Sequence, residues 1–445
     1  MRLTRTLALA FLSALAPCLL VGPGAVRAVA DVVHLSDGKT IEGKTEDLGG
    51  KVRIVTVTGA VITLPKEIIV QVEKTPDPNI TYLRMLLKVK GTDAEGFYQL
   101  ALWCDEHRLS DQYAAMLNKT IEVNPDHAQA KKLLYVYNKF GRPLPDAEAA
   151  AQGMLAQFGP SFKICKTPHY LICHDCDDVF VQTRGRLFEK VYERFYRYFE
   201  GKGFTLDVIN ERLRAVLFNT QEEYARMAPG GGGHAGIYSH ATNCVYFYDA
   251  VNDLRSQEQA NPLLSGPTGA DRQANAERQR RLAYMARQMA DQNISVTVHE
   301  ATHQLSFNLR LLEPFVDNPT WVVEGLACYF EPPTGGGWEG PGRVDTNRLY
   351  FYRKGQYPLS LMNSLNAGGR GASLSLEGYF NAWALTYYLL QERPKDFADY
   401  LRRLRAKRPG VSVSAPEMQA DFMACFGSDV GKLNEALVAY IKHVR

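Results

Sequence analysis

The first pattern along the chain is an alternation of apolar and polar positions that runs from residue 31 to about residue 75. Alternation of this kind places successive side chains on opposite faces of a strand. Turn signals interrupt it at Asp37-Gly38, at Gly49-Gly50 and at Gly59, and such residues are typical of hairpins. The spacing predicts four or five short strands, which we expect to form a small SH3-like β-barrel over residues 31–75.

The pattern changes to helical periodicity over residues 77–145. Apolar residues recur on two successive helical faces, the first made by Phe97, Leu100, Ala101 and Cys104 and the second by Tyr113, Leu117 and Ile121. This arrangement is typical of a short tetratricopeptide-like helical module. A single repeat buries little apolar surface, so we interpret the module as a spacer or a packed unit. The alternative is a groove that binds a protein partner.

The remaining chain, from about residue 161 to residue 445, mixes strand and helix patterns and predicts an α+β domain. A long helix is expected from Thr183 to about Phe199, and residues 345–445 are mostly helical in pattern. The expected strands are Phe162–Cys165, Tyr170–Cys173, Leu213–Phe218 and Cys244–Tyr248.

One short motif in this domain carries specific chemistry: His299-Glu300-Ala301-Thr302-His303. Two histidines four apart lie on one face of a helix, so their imidazoles can converge on one zinc ion. Glu300 stands beside them, where it can take a proton from zinc-bound water. An apolar stripe at helical spacing supports the helix: Ile294, Val298, Ala301, Leu305 and Leu309. The alternative is a pair of partly buried histidines on a core helix.

A catalytic zinc site needs a third protein ligand, and Glu324 is the candidate. It lies in Trp321-Val322-Val323-Glu324-Gly325-Leu326-Ala327, a segment that follows Pro319 and is expected to form a second short helix. A solvated or helix-capping glutamate is the alternative. Here the chain resembles the gluzincin metallopeptidases, whose third zinc ligand is a glutamate on the helix after the H-E-x-x-H helix. The Trp-x-x-Glu-Gly-x-Ala form looks most like an uncharacterised bacterial family of peptidase MA-like proteins.

The resemblance extends from about residue 162 to near the C-terminus and implies a zincin-like catalytic domain over residues 161–445. By that match His299, His303 and Glu324 bind zinc, and Glu300 is the general base. It also implies a sheet edge beside the site that holds an extended peptide. Cys244–Tyr248 is the candidate edge, and an ordinary paired strand is the alternative.

The sequence departs from the best-studied gluzincins at two points. The gap between His303 and Glu324 is slightly longer, and Cys328 stands where an acidic residue often orients a zinc-binding histidine. A substitute acceptor must come from Asp317, Glu331 or a backbone carbonyl.

In related metallopeptidases a tyrosine or histidine from the C-terminal side stabilises the oxyanion. Tyr379 is the candidate for that role, and core packing is the alternative.

The N-terminus reads as a cleavable secretory signal. A basic start with Arg2 and Arg5 precedes an apolar run, and Ala28-Val29-Ala30 fits a cleavage site. We therefore expect a secreted or periplasmic protein without residues 1–30. No later stretch of the sequence is long and apolar enough for a transmembrane span. Removing the signal lowers the formal charge from +3 to 0, and nothing in that balance favours nucleic acid as a partner.

Two further segments give open hypotheses. The cysteines that follow the signal show no regular spacing, so they do not form a disulfide framework, although a Cys165–Cys173 bridge across a hairpin is conceivable.

Residues 252–270 are rich in Asn, Gln, Pro and Gly and read as an insertion near the motif. It is either a mobile lid or latency segment over the metal cleft, or a surface loop without a role.

The sequence therefore predicts an exported zinc metallopeptidase that acts on a peptide or protein substrate. Two alternatives remain open. One is a non-catalytic envelope protein that uses a degenerate zincin domain as a binding scaffold, and the other is a zinc amidase of the cell wall. Both hydrolases activate water in the same way, so the residues do not separate them.

Overall fold

The computed structural model describes residues 31–36, 40–56, 61–74, 78–107, 109–231, 233–260, 272–335, 337–366 and 374–444. Three sequence-based predictions fall outside these ranges: the signal segment 1–30, the turns at Asp37-Gly38 and Gly59, and the second half of the segment 252–270. Within the described residues the fold is α+β, as predicted. It is mostly helical and contains two five-stranded sheets.

The N-terminal sheet is antiparallel and open rather than a closed barrel in the described residues. Its spatial order is β4-β3-β2-β1-β5, so β4 and β5 form its two edges. Val33 and Ile54 are fully buried in a small core on one face, which accounts for the alternation in the sequence. The strands are β1 (Asp31–Leu35), β2 (Thr40–Asp47), β3 (Lys51–Thr56), β4 (Val61–Pro65) and β5 (Ile69–Glu73).

The helical module follows directly. It comprises α1 (Pro78–Leu86), α2 (Ala94–Glu106), α3 (Ser110–Val123) and α4 (Ala128–Val136). Asp93 caps α2 by accepting a hydrogen bond from the Gly96 backbone N–H at 2.9 Å. Both apolar faces predicted from the sequence contribute to one core between α2 and α3, which is separate from the core of the sheet. The module therefore has a hydrophobic centre of its own.

The second sheet organises the rest of the chain and has the order β6-β7-β8-β10-β9. Strands β7, β8 and β10 are parallel, whereas β6 and β9 pair antiparallel at the two edges. The strands are β6 (Lys163–Lys166), β7 (Tyr170–His174), β8 (Leu213–Phe218), β9 (Gly236–Ser239) and β10 (Cys244–Tyr248). The prediction that Cys244–Tyr248 forms the edge is wrong, because β9 covers that side of β10.

Helices cover both faces of this sheet. The short helices α5 (Glu148–Phe158) and α7 (Gln221–Met227) contribute to one core. The long helix α6 (Asp178–Gly201) contributes to the larger core on the other face. Asp177 caps α6 by accepting from the Val179 N–H at 3.0 Å.

The conceivable Cys165–Cys173 disulfide is absent, and both residues are free thiols. In the β6–β7 hairpin Cys165 lies opposite Ile172, and Cys173 lies opposite Ile164. The two cysteines are thus one position out of register, and successive strand residues point to opposite faces. Their sulfur atoms cannot meet without a shift of the strands.

The segment 252–270 is not a loop throughout. Its first half belongs to α8 (Ala250–Ala260), which is followed by the 37-residue α9 (Arg272–Asn308). Helix α9 crosses the same sheet face as α6, and its last third is buried there. The motif His299–His303 lies in this buried third.

The C-terminal part is helical, as predicted, and completes the larger core. Its helices are α10 (Thr320–Phe330), α11 (Thr346–Arg353), α12 (Leu361–Leu365), α13 (Leu376–Glu392), α14 (Pro394–Arg405), α15 (Ala415–Phe426) and α16 (Val430–His443). None of the helices in the described ranges offers a hydrophobic stretch that could span a bilayer.

Candidate metal centre

His299 and His303 lie one turn apart on α9, and the centroids of their rings are 4.7 Å apart. The apolar stripe predicted from the sequence is buried, and it faces the sheet and α6. Its members are Ile294, Val298, Ala301, Leu305 and Leu309. Because these positions fix the rotation of the helix, the two imidazoles project from the opposite side of α9 towards α10.

Polar contacts fix the position of α9 along the sheet. The Gln304 side-chain amide donates to the backbone carbonyls of Arg214 at 3.0 Å and Asn243 at 3.2 Å. About three turns earlier the buried Asn293 amide donates to Asp249 Oδ1 at 2.9 Å and accepts from the Ala250 N–H at 3.0 Å. Buried polar groups need such partners, so these bonds favour one register of the helix over others.

Glu324 projects from α10 into the space between the two imidazoles. Its Oε2 atom lies 3.2 Å from His299 Nε2 and 3.6 Å from His303 Nε2. Two ligands of a tetrahedral zinc ion, each about 2.1 Å from the metal, lie about 3.4 Å from each other. The three side chains therefore fit a single zinc ion, with one position left over for water or substrate.

The charges of this group are strongly coupled. Burial alone would raise the pKa of Glu324, but His303 and His299 hold it well below its ordinary value. Burial would likewise lower the pKa of His299, but the neighbouring Glu331 and Glu324 raise it well above its ordinary value. The anionic Glu324 is already in the state that a metal ligand requires, whereas His299 has to release the proton that the carboxylates hold on it, because a histidine ligand is neutral.

Glu300 lies beside the histidines and next to edge strand β9. The pKa of Glu300 is raised, because the effect of burial exceeds the lowering by the two histidines and the Tyr238 backbone N–H. Strand β9 can come this close because residue 236 is glycine. A Cβ atom at Gly236 would lie 2.5 Å from Val296 Cγ1 and 3.2 Å from Glu300 Cγ. The sheet edge and the carboxylate of the motif are thus in direct contact.

Glu331 supplies the carboxylate that the Cys328 position lacks. Its Oε2 lies 2.5 Å from His299 Nδ1, so this carboxylate fixes the ring orientation and leaves Nε2 directed at Glu324. Glu331 was one of three candidates for this role. Asp317, another of them, instead accepts a bond from the Val413 backbone N–H at 3.0 Å. The spacing of seven residues places Glu324 and Glu331 on one face of α10, which is the sequence signal for this pair.

Sequence reasoning missed Arg348, which lies behind Glu331 on α11. Its Nη2 donates to Cys328 Sγ at 3.3 Å and also pairs with Glu331 Oε1. Burial would raise the pKa of Glu331, but Arg348 and His299 lower it to about 2. Arg348 is separated from the ligands by a loop and a helix boundary, so no local spacing in the sequence announces it.

Tyr379 lies in the first turn of α13 and is partly buried against the larger core. Burial raises its pKa, and the negative charge of Glu324 raises it further. The ring is therefore close enough to the three-ligand group for their charges to interact. This position is compatible with both roles considered from the sequence, oxyanion stabilisation and core packing.

Comparison with known proteins adds a limited finding. A family described as "Protein of unknown function (DUF1570)" matches residues 293–410. That stretch covers less than half of the chain, but it contains the motif, Glu324, Glu331, Arg348 and Tyr379. The chain matches no curated protein.

Proposed function

We propose that this protein is a zinc-dependent metallopeptidase of the gluzincin type. The observation that carries the proposal is the convergence of His299 Nε2, His303 Nε2 and Glu324 Oε2 within 4.8 Å, with Glu300 on the next position of the same helix. Two helices and a sheet edge hold these groups together. A pair of core histidines would not require a buried carboxylate between them.

The zinc ion, when bound, polarises the peptide carbonyl and lowers the pKa of its water. His299, His303 and Glu324 hold it, and Glu331 keeps the His299 ring in place. Glu300 takes the proton from the attacking water and delivers it to the leaving amine. The raised pKa of Glu300 suits the first of these steps, because a stronger base accepts the proton more readily. Tyr379 is the candidate whose hydroxyl would donate a hydrogen bond to the oxyanion, with core packing as the alternative.

Strand β9 is the candidate surface for the substrate backbone. It pairs with β10 on one side, with Val245 opposite Tyr238, and it forms the last strand of the described sheet. An extended peptide that adds to this edge would lie next to Glu300, because the Tyr238 N–H faces that carboxylate. The proposal therefore moves the predicted peptide-binding edge from Cys244–Tyr248 to Gly236–Ser239.

The finer parts of the fold belong to the same proposal. We interpret residues 161–445 as a zincin-like domain and the N-terminal sheet as an SH3-like unit. The signal segment 1–30 would direct the protein to the periplasm or the exterior. The helical module is the candidate site for a protein partner.

The non-catalytic scaffold is the weaker alternative. Two features favour it: the N-terminal sheet and the helical module resemble binding units, and Cys328 stands where an acidic residue often orients a histidine. Glu331 provides a carboxylate at 2.5 Å from His299 Nδ1, so the second of these arguments no longer applies. A cell-wall amidase would use the same groups, and the choice of substrate in the test distinguishes it.

The test is cleavage, by the purified chain from residue 31, of an unbiased peptide library and of muropeptides, which carry the amide that joins the stem peptide to the glycan. We expect cleavage that chelation abolishes and zinc restores. Glu300→Gln should lower the rate about 10²–10⁴-fold and retain zinc, while Glu277→Gln, an exposed position on the same helix, should leave the rate unchanged. Cleavage of the wall amide alone would support the amidase. Zinc-loaded protein that cleaves neither substrate would exclude both enzymes.

A further inference from the structure

Behind the candidate metal centre, the two oxygens of one carboxylate serve two different partners. Glu331 Oε2 lies 2.5 Å from His299 Nδ1, and Glu331 Oε1 pairs with the Arg348 guanidinium. A glutamate carboxylate with only one partner can rotate about its Cγ–Cδ bond. Contacts at both oxygens fix its plane, and hence the direction from which His299 is held.

Arg348 is itself held in place. Its Nε lies 2.9 Å from Asp345 Oδ2, and Asp345 Oδ1 accepts from the Arg348 backbone N–H at 2.9 Å as the N-cap of α11. The guanidinium is planar and presents its donors in a fixed fork. Asp345, Arg348, Glu331 and His299 thus form a continuous chain of contacts from the start of α11 to the metal centre.

A second group of possible metal ligands lies around His299, and the Arg348 guanidinium contacts it. The Nδ1 side of the ring, Cys328 Sγ and the Glu331 carboxylate lie close enough together to bind a metal ion. Arg348 donates to the sulfur at 3.3 Å and pairs with the carboxylate. A positive charge is therefore already present at this position, so this group supports the ring and does not bind a second ion.

We propose that Arg348 is a positioning residue of the metal centre: by holding Glu331 it fixes the ring of His299 and so increases the affinity for zinc. The inference rests on the proposed function, since it assumes that His299, His303 and Glu324 bind zinc. It adds that this chain replaces the usual acidic residue at position 328 with a pair from two places, Glu331 at the C-terminal end of α10 and Arg348 on α11.

The experiment is a double-mutant cycle on zinc affinity in the full chain from residue 31, measured by competition with a chelator. Removal of a group that supports a metal ligand typically costs about 10–100-fold in metal affinity. We expect a loss of this size for Arg348→Gln and for Glu331→Gln, and no further loss in the double variant, because Arg348 acts through Glu331. Arg348→Lys should be intermediate, since it keeps the charge and loses the fork.

Arg353→Met is the matched control, because Arg353 lies on the same helix and donates to the Val444 carbonyl, which is not part of the site. Melting of the metal-free proteins separates loss of fold from loss of affinity. If Arg348→Gln does not fold, Asp345→Asn replaces it in the cycle, since asparagine still caps α11 but no longer holds the guanidinium by charge.

Two results would overturn the role of Arg348 and leave the proposed function intact. One is a zinc affinity of the folded Arg348→Gln variant within about twofold of wild type. The other is that Arg348→Gln lowers zinc affinity by the same factor whether position 331 carries glutamate or glutamine. A folded wild-type protein that takes up no zinc would overturn the proposed function, and this inference with it.

Discussion

Three glutamates at the candidate centre have different environments, and these suit them to different tasks in the proposed mechanism. Burial raises the pKa of Glu300, which suits a base. The adjacent histidines lower the pKa of Glu324 despite its burial, which suits a metal ligand. Arg348 and His299 lower the pKa of Glu331, which suits a permanently charged support for the ring. Identical carboxylates are thus distinguished by their neighbours.

Tyr379 permits a direct choice between its two roles. Tyr379→Phe removes only the hydroxyl and keeps the ring that packs against the core. If the hydroxyl stabilises the oxyanion, kcat should fall about 10²–10³-fold with zinc content and KM little changed. Steady-state kinetics on one peptide substrate, with metal analysis of the same sample, measure this. Unaltered kcat would assign Tyr379 to packing alone.

Asp175 should make stability depend on pH. It follows β7, accepts the Asn219 N–H at 2.8 Å, and its pKa is raised to about 6, first by burial and then by the charge of Glu223. Between its ordinary pKa and this value the folded protein binds a proton that the unfolded chain releases. Stability should therefore fall as pH rises through that window.

Asp175→Asn keeps the acceptor and removes the titration. Melting curves from about pH 4 to about pH 7 should show a smaller fall in Tm for this variant than for wild type. Glu435→Gln, an exposed position on α16, is the control and should follow the wild-type slope. Parallel slopes for Asp175→Asn and wild type would contradict the assignment.

Residues with a local signal were identified from the sequence, and residues without one were missed. The spacing of four in the motif was enough to select His299 and His303, and the structure brings Glu324 to both of them. Glu331 was found only as one of three alternatives, since a contact between two helices is not a local property. Arg348 reaches the site from a third helix, and its sequence position carries no corresponding pattern.

At the level of elements, the contact between α10 and α13 determines where Glu324 and Tyr379 lie. Gly325 permits it, because a Cβ atom there would lie 2.1 Å from Thr386 Oγ1 and 2.6 Å from the Ala382 carbonyl oxygen. Gly325→Ala should push the helices apart, destabilise the fold by about 1–3 kcal/mol and weaken zinc binding through Glu324.

Gly153→Ala provides the matched control for this helix substitution. Gly153 lies inside α5, and nothing lies within 4 Å of a Cβ placed there. Alanine at that position should raise stability by about 0.5–1 kcal/mol, because it lowers the entropy of the unfolded chain. Denaturant unfolding and chelator competition measure both effects. Full stability and zinc affinity in Gly325→Ala would show that the close contact is not required.

The elements that the sequence misassigned share a physical reason. Strand β9 has four residues and follows a glycine-rich turn, so it is too short for its alternation to be recognised. Without it, the sequence leaves Cys244–Tyr248 either as an edge or as an ordinary paired strand, and the structure has the paired strand. Residues 252–260 are polar, but their helix packs along α9, and such a tertiary contact is not visible in composition. Local sequence patterns therefore identify strands and helices better than they identify which of these elements pack against each other.

At the level of the whole molecule, Arg197 joins the helical module to the part of the chain that holds the candidate metal centre. It projects from α6 and binds Asp105 of α2 through two bonds of 2.7 and 2.8 Å, and it also donates to the Tyr113 hydroxyl at 3.0 Å. Planar pairs of this kind are specific in geometry. The module is therefore attached to α6 at a defined position.

Asp105→Asn should reduce the free energy of unfolding by about 2 kcal/mol. The largely buried guanidinium would lose its paired carboxylate and keep Glu193, at 2.7 Å, and the Tyr113 hydroxyl, at 3.0 Å. Zinc content and peptide cleavage should not change, because Asp105 lies on a different part of the molecule from the metal group. Chemical denaturation is the measurement, and a loss of zinc on this substitution would argue for coupling between module and site.

The metal content of the purified chain from residue 31 tests the central claim most directly. After dialysis, elemental analysis should find about one zinc ion per chain in wild type and in Glu300→Gln. His303→Ala and Glu324→Ala should lose the zinc while circular dichroism shows that they remain folded. A folded wild-type protein without zinc, or a Glu324→Ala variant that keeps a full equivalent, would contradict the metal centre.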